Sequence, residues 1–102
     1  MYRASEAVDN AEWLADLEAA ADALDLDEAV RSTARDLFLS AVPEEERSKP
    51  AALAAGLYAA TLVAGDQRSQ GDVADAVGVS RLAVQDRWKD ILREAGLEPP
   101  GW

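Results

Sequence analysis

Charged and apolar residues are unevenly spread along this chain. From Pro50 to Ala64 the text PAALAAGLYAATLVA holds no charged residue, although 29% of the whole chain is charged. A helix without a polar stripe has no face for water, so this run predicts a helix buried on all sides. Ala51, Ala52, Ala54, Ala55, Gly56, Ala59 and Ala60 let neighbouring backbones approach, and Leu53, Leu57, Tyr58, Leu62 and Val63 fill the remaining space. Gly65 supplies the stop. A bilayer span needs about 20 apolar residues; this run is shorter and lies in mid-chain, so no membrane segment is expected.

The flanking text is amphipathic. Trp13, Leu14, Leu17, Ala21 and Leu24 recur at helical spacing, with Asp16, Glu18 and Asp22 mostly opposite. Asp9 with Glu12 forms a capping-box-like pair for this helix, and Trp13 lies in register with the buried face as a core anchor. The text LDLDEAV turns into a second helix, capped by Asp25 or Asp27, whose buried face is Val30, Ala34, Leu37, Phe38 and Ala41. Arg31 and Arg35 sit on another face, solvated or paired with nearby carboxylates. Pro43 ends that helix, PEEERSK is a polar connection, and Ser48 stands where the central helix needs a cap, with Pro50 tolerated in its first turn.

After Gly65 two shorter helices are expected. Ser69, with Asp72 three residues on, opens one over Gln70 to Val77, with Val73, Ala74 and Val77 buried. Gly78 breaks it, and Ser80 caps a last helix running to about Ala95 before Gly96, Pro99 and Pro100. Two helices joined by a short glycine-containing turn make a helix-turn-helix pattern over about 69–95. At about 100° per residue the last helix gathers Val84, Trp88, Ile91, Leu92 and Ala95 into a core arc. Leu82, Gln85, Lys89 and Arg93 fall in another arc, with Arg81 and Asp86 at its margins. Leu82 is a large aliphatic group away from the core arc; it either packs locally or faces a ligand. No period-two run of β-branched residues suggests a strand. LEPPGW reads as a tail whose Trp102 can dock on the body. The expectation is one all-α domain over 1–102.

Composition narrows the chemistry. The chain has 102 residues, no cysteine and no histidine, which removes disulfides, thiolate metal sites and the commonest general base. Pairs such as Asp72 and Asp75 are polar-face solvation, no calcium-loop spacing occurs, and no enzyme, cofactor or metal is expected. MYRASEAVDN lacks the apolar core of a secretory signal, so an intracellular, cytoplasmic protein is expected. Net charge is −10. Residues 1–48 hold thirteen acids and four bases, and residues 49–102 hold seven and six, so the second half is nearly neutral. Eleven aspartates, and only Lys49 and Lys89 as lysines among ten basic residues, suggest a source adapted to high salt. There the Debye length falls to about 3 Å at 1 M, and acidity loses force as an argument against nucleic acid.

Three passages in this order carry a resemblance: RSKPAALAAGLYAATLVAG, RSQGDVADAVGVS and RLAVQDRWKDIL. Over about Trp13 to Leu92 the chain resembles a single cyclin-like repeat of the archaeal transcription initiation factor IIB family, and the acidic composition points to a haloarchaeal member. The resemblance implies a five-helix bundle around a central third helix, with a terminal helix-turn-helix whose last helix reads the element flanking a TATA box. By motif position it places Ser80, Leu82, Ala83 and Gln85 on bases, and Arg81, Arg87, Lys89 and Arg68 on phosphates. Glutamine suits an adenine edge, and Leu82 or Ala83 a thymine methyl.

The family's cysteine-bearing zinc ribbon has no counterpart here, and one repeat stands where the family has two. What is implied is a small DNA-binding transcription regulator, or a partial competitor for the same partner. Its partners would be promoter DNA and the TATA-binding protein or another basal factor, with a homodimer over half-sites permitted. The alternative is a protein-interaction adaptor that binds a basal transcription factor through its acidic N-terminal helices.

Overall fold

The computed structural model describes residues 10–99. Among these residues five α-helices follow one another: α1 (Ala11–Ala23), α2 (Glu28–Ser40), α3 (Lys49–Val63), α4 (Gln70–Val77) and α5 (Arg81–Glu94), with a 3-10 turn at Glu46–Ser48 before α3. No strand occurs among the described residues.

The uncharged run is the axis of the bundle. Every residue of α3 from Ala52 to Thr61 is buried, and α3 packs on each of the other four helices. Alanine is what permits this, because each partner can lie close to the α3 backbone without meeting a long side chain. At Gly56 the approach is to the α2 backbone itself: a methyl placed there would sit 3.5 Å from Phe38 N and 3.6 Å from Ala34 O. Larger groups complete the core around the rod. Tyr58 of α3 meets Trp88 of α5 edge to face, with ring centroids 5.4 Å apart and planes at 79°. Leu17, Val30, Phe38, Val73, Val84 and Leu92 are buried around them.

The caps follow local chemistry. Asp27, in extended conformation, accepts from Val30 N at 3.1 Å and opens α2; its alternative Asp25 instead occupies a left-handed turn at φ 55°. Ser69 accepts from Asp72 N, and Ser80 from Ala83 N. Asp9 and Trp102 lie outside the described residues. Ser48 does not cap α3: its φ and ψ of −89° and −13° are helical, because the 3-10 turn runs directly into the helix, and side-chain capping needs the extended conformation. Within the stretch PEEERSK, Glu46–Ser48 form that 3-10 turn. Trp13 is half-buried, so it edges the core rather than anchoring it, and Leu39, off the expected face of α2, is buried.

Arg31 and Arg35 tie α1 to α2. Arg31 Nη1 lies 2.6 Å from Asp22 and 3.1 Å from Glu18. Arg35 pairs with Glu28 at 2.7 Å and with the other oxygen of Glu18. Arg31 Nε also donates to the Leu26 carbonyl at 2.8 Å. The hydrogen bonds from Asp22 and then Glu18 raise Arg31 above the ordinary guanidinium range; for Arg35 the bond to Glu28 leads, and burial opposes it. Three of the N-terminal acids are thus paired within the fold, sharing two guanidinium charges.

Candidate nucleic-acid interface

The last two helices hold the candidate site. α4 stops at Gly78, whose φ of 92° is left-handed and open to glycine at no steric cost. Three residues later α5 begins, its first turn fixed by the Ser80 cap. Val84, Trp88, Ile91 and Leu92 point α5 into the bundle, against α3 and α4. Burying that arc leaves the opposite one in water, and the start of α5 is accordingly its most open part. Leu82 is 62% exposed, and Ser80, Arg81 and Gln85 are exposed beside it. Of the two positions open to Leu82, local packing or an outward face, the fold chooses the second.

The remaining expected residues are less uniform. Ala83 and Arg87 are half-buried, and Arg87 shares a cleft of about 370 Å³ with Ser40, Ala41, Asp90 and Glu94 on the flank away from Leu82. Lys89 is also half-buried, with its ammonium over the Trp88 ring, 5.5 Å from its centre. Arg93, in the same arc as Lys89, pairs with Asp90 at 3.0 Å. Arg68 stands apart on the loop before α4, with its guanidinium bonded to Asp66 and to the Leu24 carbonyl. The fold therefore gathers Ser80, Arg81, Leu82 and Gln85 at one end of α5, with Lys89 a turn further on. It sets Arg87 on the other flank and commits Arg68 to an internal contact.

Electrostatically the face is mixed. α5 carries Arg81, Arg87, Lys89 and Arg93 against Asp86, Asp90 and Glu94. Such a face gives little long-range attraction to a polyanion. Among the described residues no group of three or more metal-binding side chains occurs, and no helix is long and apolar enough to cross a membrane. Residue patterns missed Thr61, Asp66 and Leu24 as supports of this unit. The Asp66–Arg68 spacing was the one available signal.

Among the described residues, five helices packed on a buried third, the last two a tight helix, turn and helix with one face in solvent, define a class of small all-helical domains. The chain belongs to the transcription factor TFIIB repeat family, which matches residues 8–94, and its fold is the cyclin-like one. It is similar to transcription initiation factor IIB of Pyrococcus abyssi, 36% identical over 83 residues that cover 78% of this chain and 28% of that protein. Transcription initiation factor IIB 1 of Thermococcus kodakarensis matches with the same identity and coverage, 36%, 78% and 28%. A shorter match, 36% identical over 45 residues, is to transcription initiation factor IIB of Archaeoglobus fulgidus. The chain thus spans less than a third of the length of these curated relatives.

Proposed function

We propose that this chain is a DNA-binding transcription regulator that reads promoter DNA with the first two turns of α5. The observation that supports this most is Leu82: a large aliphatic side chain 62% exposed at the capped start of a helix whose other face is sealed. In a major groove its methyls suit the C5-methyl of thymine, while the Gln85 amide, one turn on, can pair with N6 and N7 of adenine. Ser80 and Ala83 lie close to the base edges, Arg81 and Lys89 reach phosphate oxygens on one side, and Arg87 does so on the other. A good bidentate base contact is worth about 1–3 kcal/mol of discrimination. Three phosphate contacts would give a salt slope of only about −2.7, shallow enough for binding to persist in concentrated salt. The aspartate-rich composition supports a salt-rich cell, as of a haloarchaeon. A relative's name, transcription initiation factor IIB, supports promoter DNA, with the TATA-binding protein or another basal factor, as the setting.

The test is fluorescence anisotropy of a duplex carrying a TATA box and its flanks, titrated with protein in molar KCl. Wild type should bind, and Gln85→Ala combined with Arg81→Ala should weaken binding by at least tenfold. Identical curves for mutant and wild type reject the proposal. The adaptor alternative draws on the acids of α1 and α2, but Glu18, Asp22 and Glu28 already serve Arg31 and Arg35. Capture of a basal factor that needs these helices and ignores DNA would favour it.

A further inference from the structure

The loop between α3 and α4 is bonded more heavily than a simple connector requires. Thr61, wholly buried in α3, donates its hydroxyl to the Tyr58 carbonyl at 2.7 Å and accepts from Arg68 N–H at 3.3 Å. Its own carbonyl accepts from Asp66 N–H at 2.9 Å. The Arg68 side chain, 27% exposed, then divides its donors. Nη1 bonds both the carbonyl and the carboxylate of Asp66, and Nη2 reaches the carbonyl of Leu24 at 3.3 Å.

Leu24 is the residue that closes α1, and α1 has no basic residue in its last turn. The final carbonyls of a helix lack intrahelical partners and form the negative end of its dipole, where a cation is stabilising. Arg68 supplies that cation from 44 residues further along the chain. The next residue, Ser69, is the cap of α4. The entry of α4 is in this way tied to the end of α1 through the Arg68 side chain, and to the central helix through Thr61. α5 follows from α4 across a three-residue turn. A phosphate approaching Arg68 would meet Asp66, which already holds the guanidinium, and Asp72 and Asp75, which share with it a cleft of about 440 Å³.

We infer that Arg68 is a positioning residue that locks the α4–α5 pair against α1 and α3 so that Leu82 and Gln85 are presented together, in place of the phosphate contact that family resemblance assigns to it. The inference rests on the DNA-reading proposal for α5, and its experiment has one arm that needs no DNA.

The full chain, as wild type, Arg68→Lys, Arg68→Gln, Thr61→Val and Lys89→Ala, is titrated against the TATA-box duplex over a range of KCl. Amide hydrogen exchange is followed in the absence of DNA. A lost phosphate contact flattens the plot of log affinity against log salt by about 0.9, the result expected for Lys89→Ala. The Arg68 variants and Thr61→Val should instead lose about tenfold in affinity at every salt concentration, with the slope unchanged, because a smaller fraction of molecules holds the competent orientation. Lysine should not restore binding, since a single ammonium cannot make the fork. Exchange should quicken over residues 66–77 and stay slow in α3. A slope flattened by about 0.9 in Arg68→Gln, with exchange unaltered, overturns the inference. If wild type itself fails to bind the duplex, the DNA-reading proposal falls; exchange then decides alone, and unaltered protection of 66–77 in Arg68→Lys and Thr61→Val counts against the lock.

Discussion

Gly56 offers a prediction whose sign runs against intuition. A glycine inside a buried helix, facing the backbone of its neighbour, invites the view that any side chain there would force α2 and α3 apart. The distances say otherwise for one methyl. A Cβ on Gly56 would have Phe38 N at 3.5 Å, Ala34 O at 3.6 Å and Phe38 Cα at 3.7 Å, all ordinary van der Waals contacts. Alanine removes the conformational cost of glycine in a helix interior, about 0.8–1.0 kcal/mol, and a buried methyl adds up to about 0.8 kcal/mol of transfer free energy. Allowing for small adjustments by α2, Gly56→Ala should stabilise the domain by about 1 kcal/mol. In a domain of this size that raises the melting temperature by roughly 4–8 °C, readable by far-UV circular dichroism in high salt. Gly56→Leu is the control. Its outer carbons have only the Phe38 and Ala34 backbone ahead of them, and overpacking of this kind costs about 1–3 kcal/mol. A lower melting temperature for Gly56→Ala would refute the spacing argument, because the gain in helix propensity would then have been overwhelmed by a contact tighter than the one described.

Trp88→Ala removes a side chain only 2% exposed and its edge-on contact with Tyr58; urea unfolding should show a loss of about 3–5 kcal/mol. Leu82→Ala should leave the urea midpoint nearly unchanged, within about 0.5 kcal/mol for an exposed site, while weakening duplex binding severalfold. Glu18→Gln takes one carboxylate partner from both Arg31 and Arg35, which keep Asp22 and Glu28, and should lower the melting temperature at low salt by more than at 3 M KCl, about where screening is complete; an equal drop at both would show that the pairs act through packing. The raised values of Arg31 and Arg35 mean that their contribution is fully present below the ordinary guanidinium range and is lost only as pH climbs through the raised folded values. With no histidine or cysteine in the chain, the melting temperature should be flat between about pH 6 and 9, and a steep slope in that window would contradict this assignment.

Much of the fold was legible because its signals are local. The absence of charge from Pro50 to Ala64 marked the rod, serine and aspartate caps marked α2, α4 and α5, and the projection of α5 separated Trp88 from Leu82 as the bundle does. The exposed start of α5 could be located in the same way. What escaped depends on partners distant in sequence or on backbone geometry. Residue type and resemblance offer Arg68 a phosphate, since nothing near it announces the Leu24 carbonyl, and they offer Ser48 as a cap because residue type alone cannot reveal a 3-10 turn that has already entered the helix. Arg87 shares a phosphate role with Arg81 in the resemblance, although five residues at about 100° each turn it well away from Leu82, to the flank where Ser40 and Ala41 lie.

The alanine rod has a consequence for how the domain can change over generations. Alanine and glycine have no side-chain rotamers to freeze, so ordering those positions costs no side-chain entropy. They also leave nothing to trim, and most replacements within the rod are enlargements that push on helices from several directions at once. Divergence is therefore steered outward, to the solvent faces of the surrounding helices. There the tip of α5 can be rewritten, one exposed residue at a time, without the scaffold registering the change.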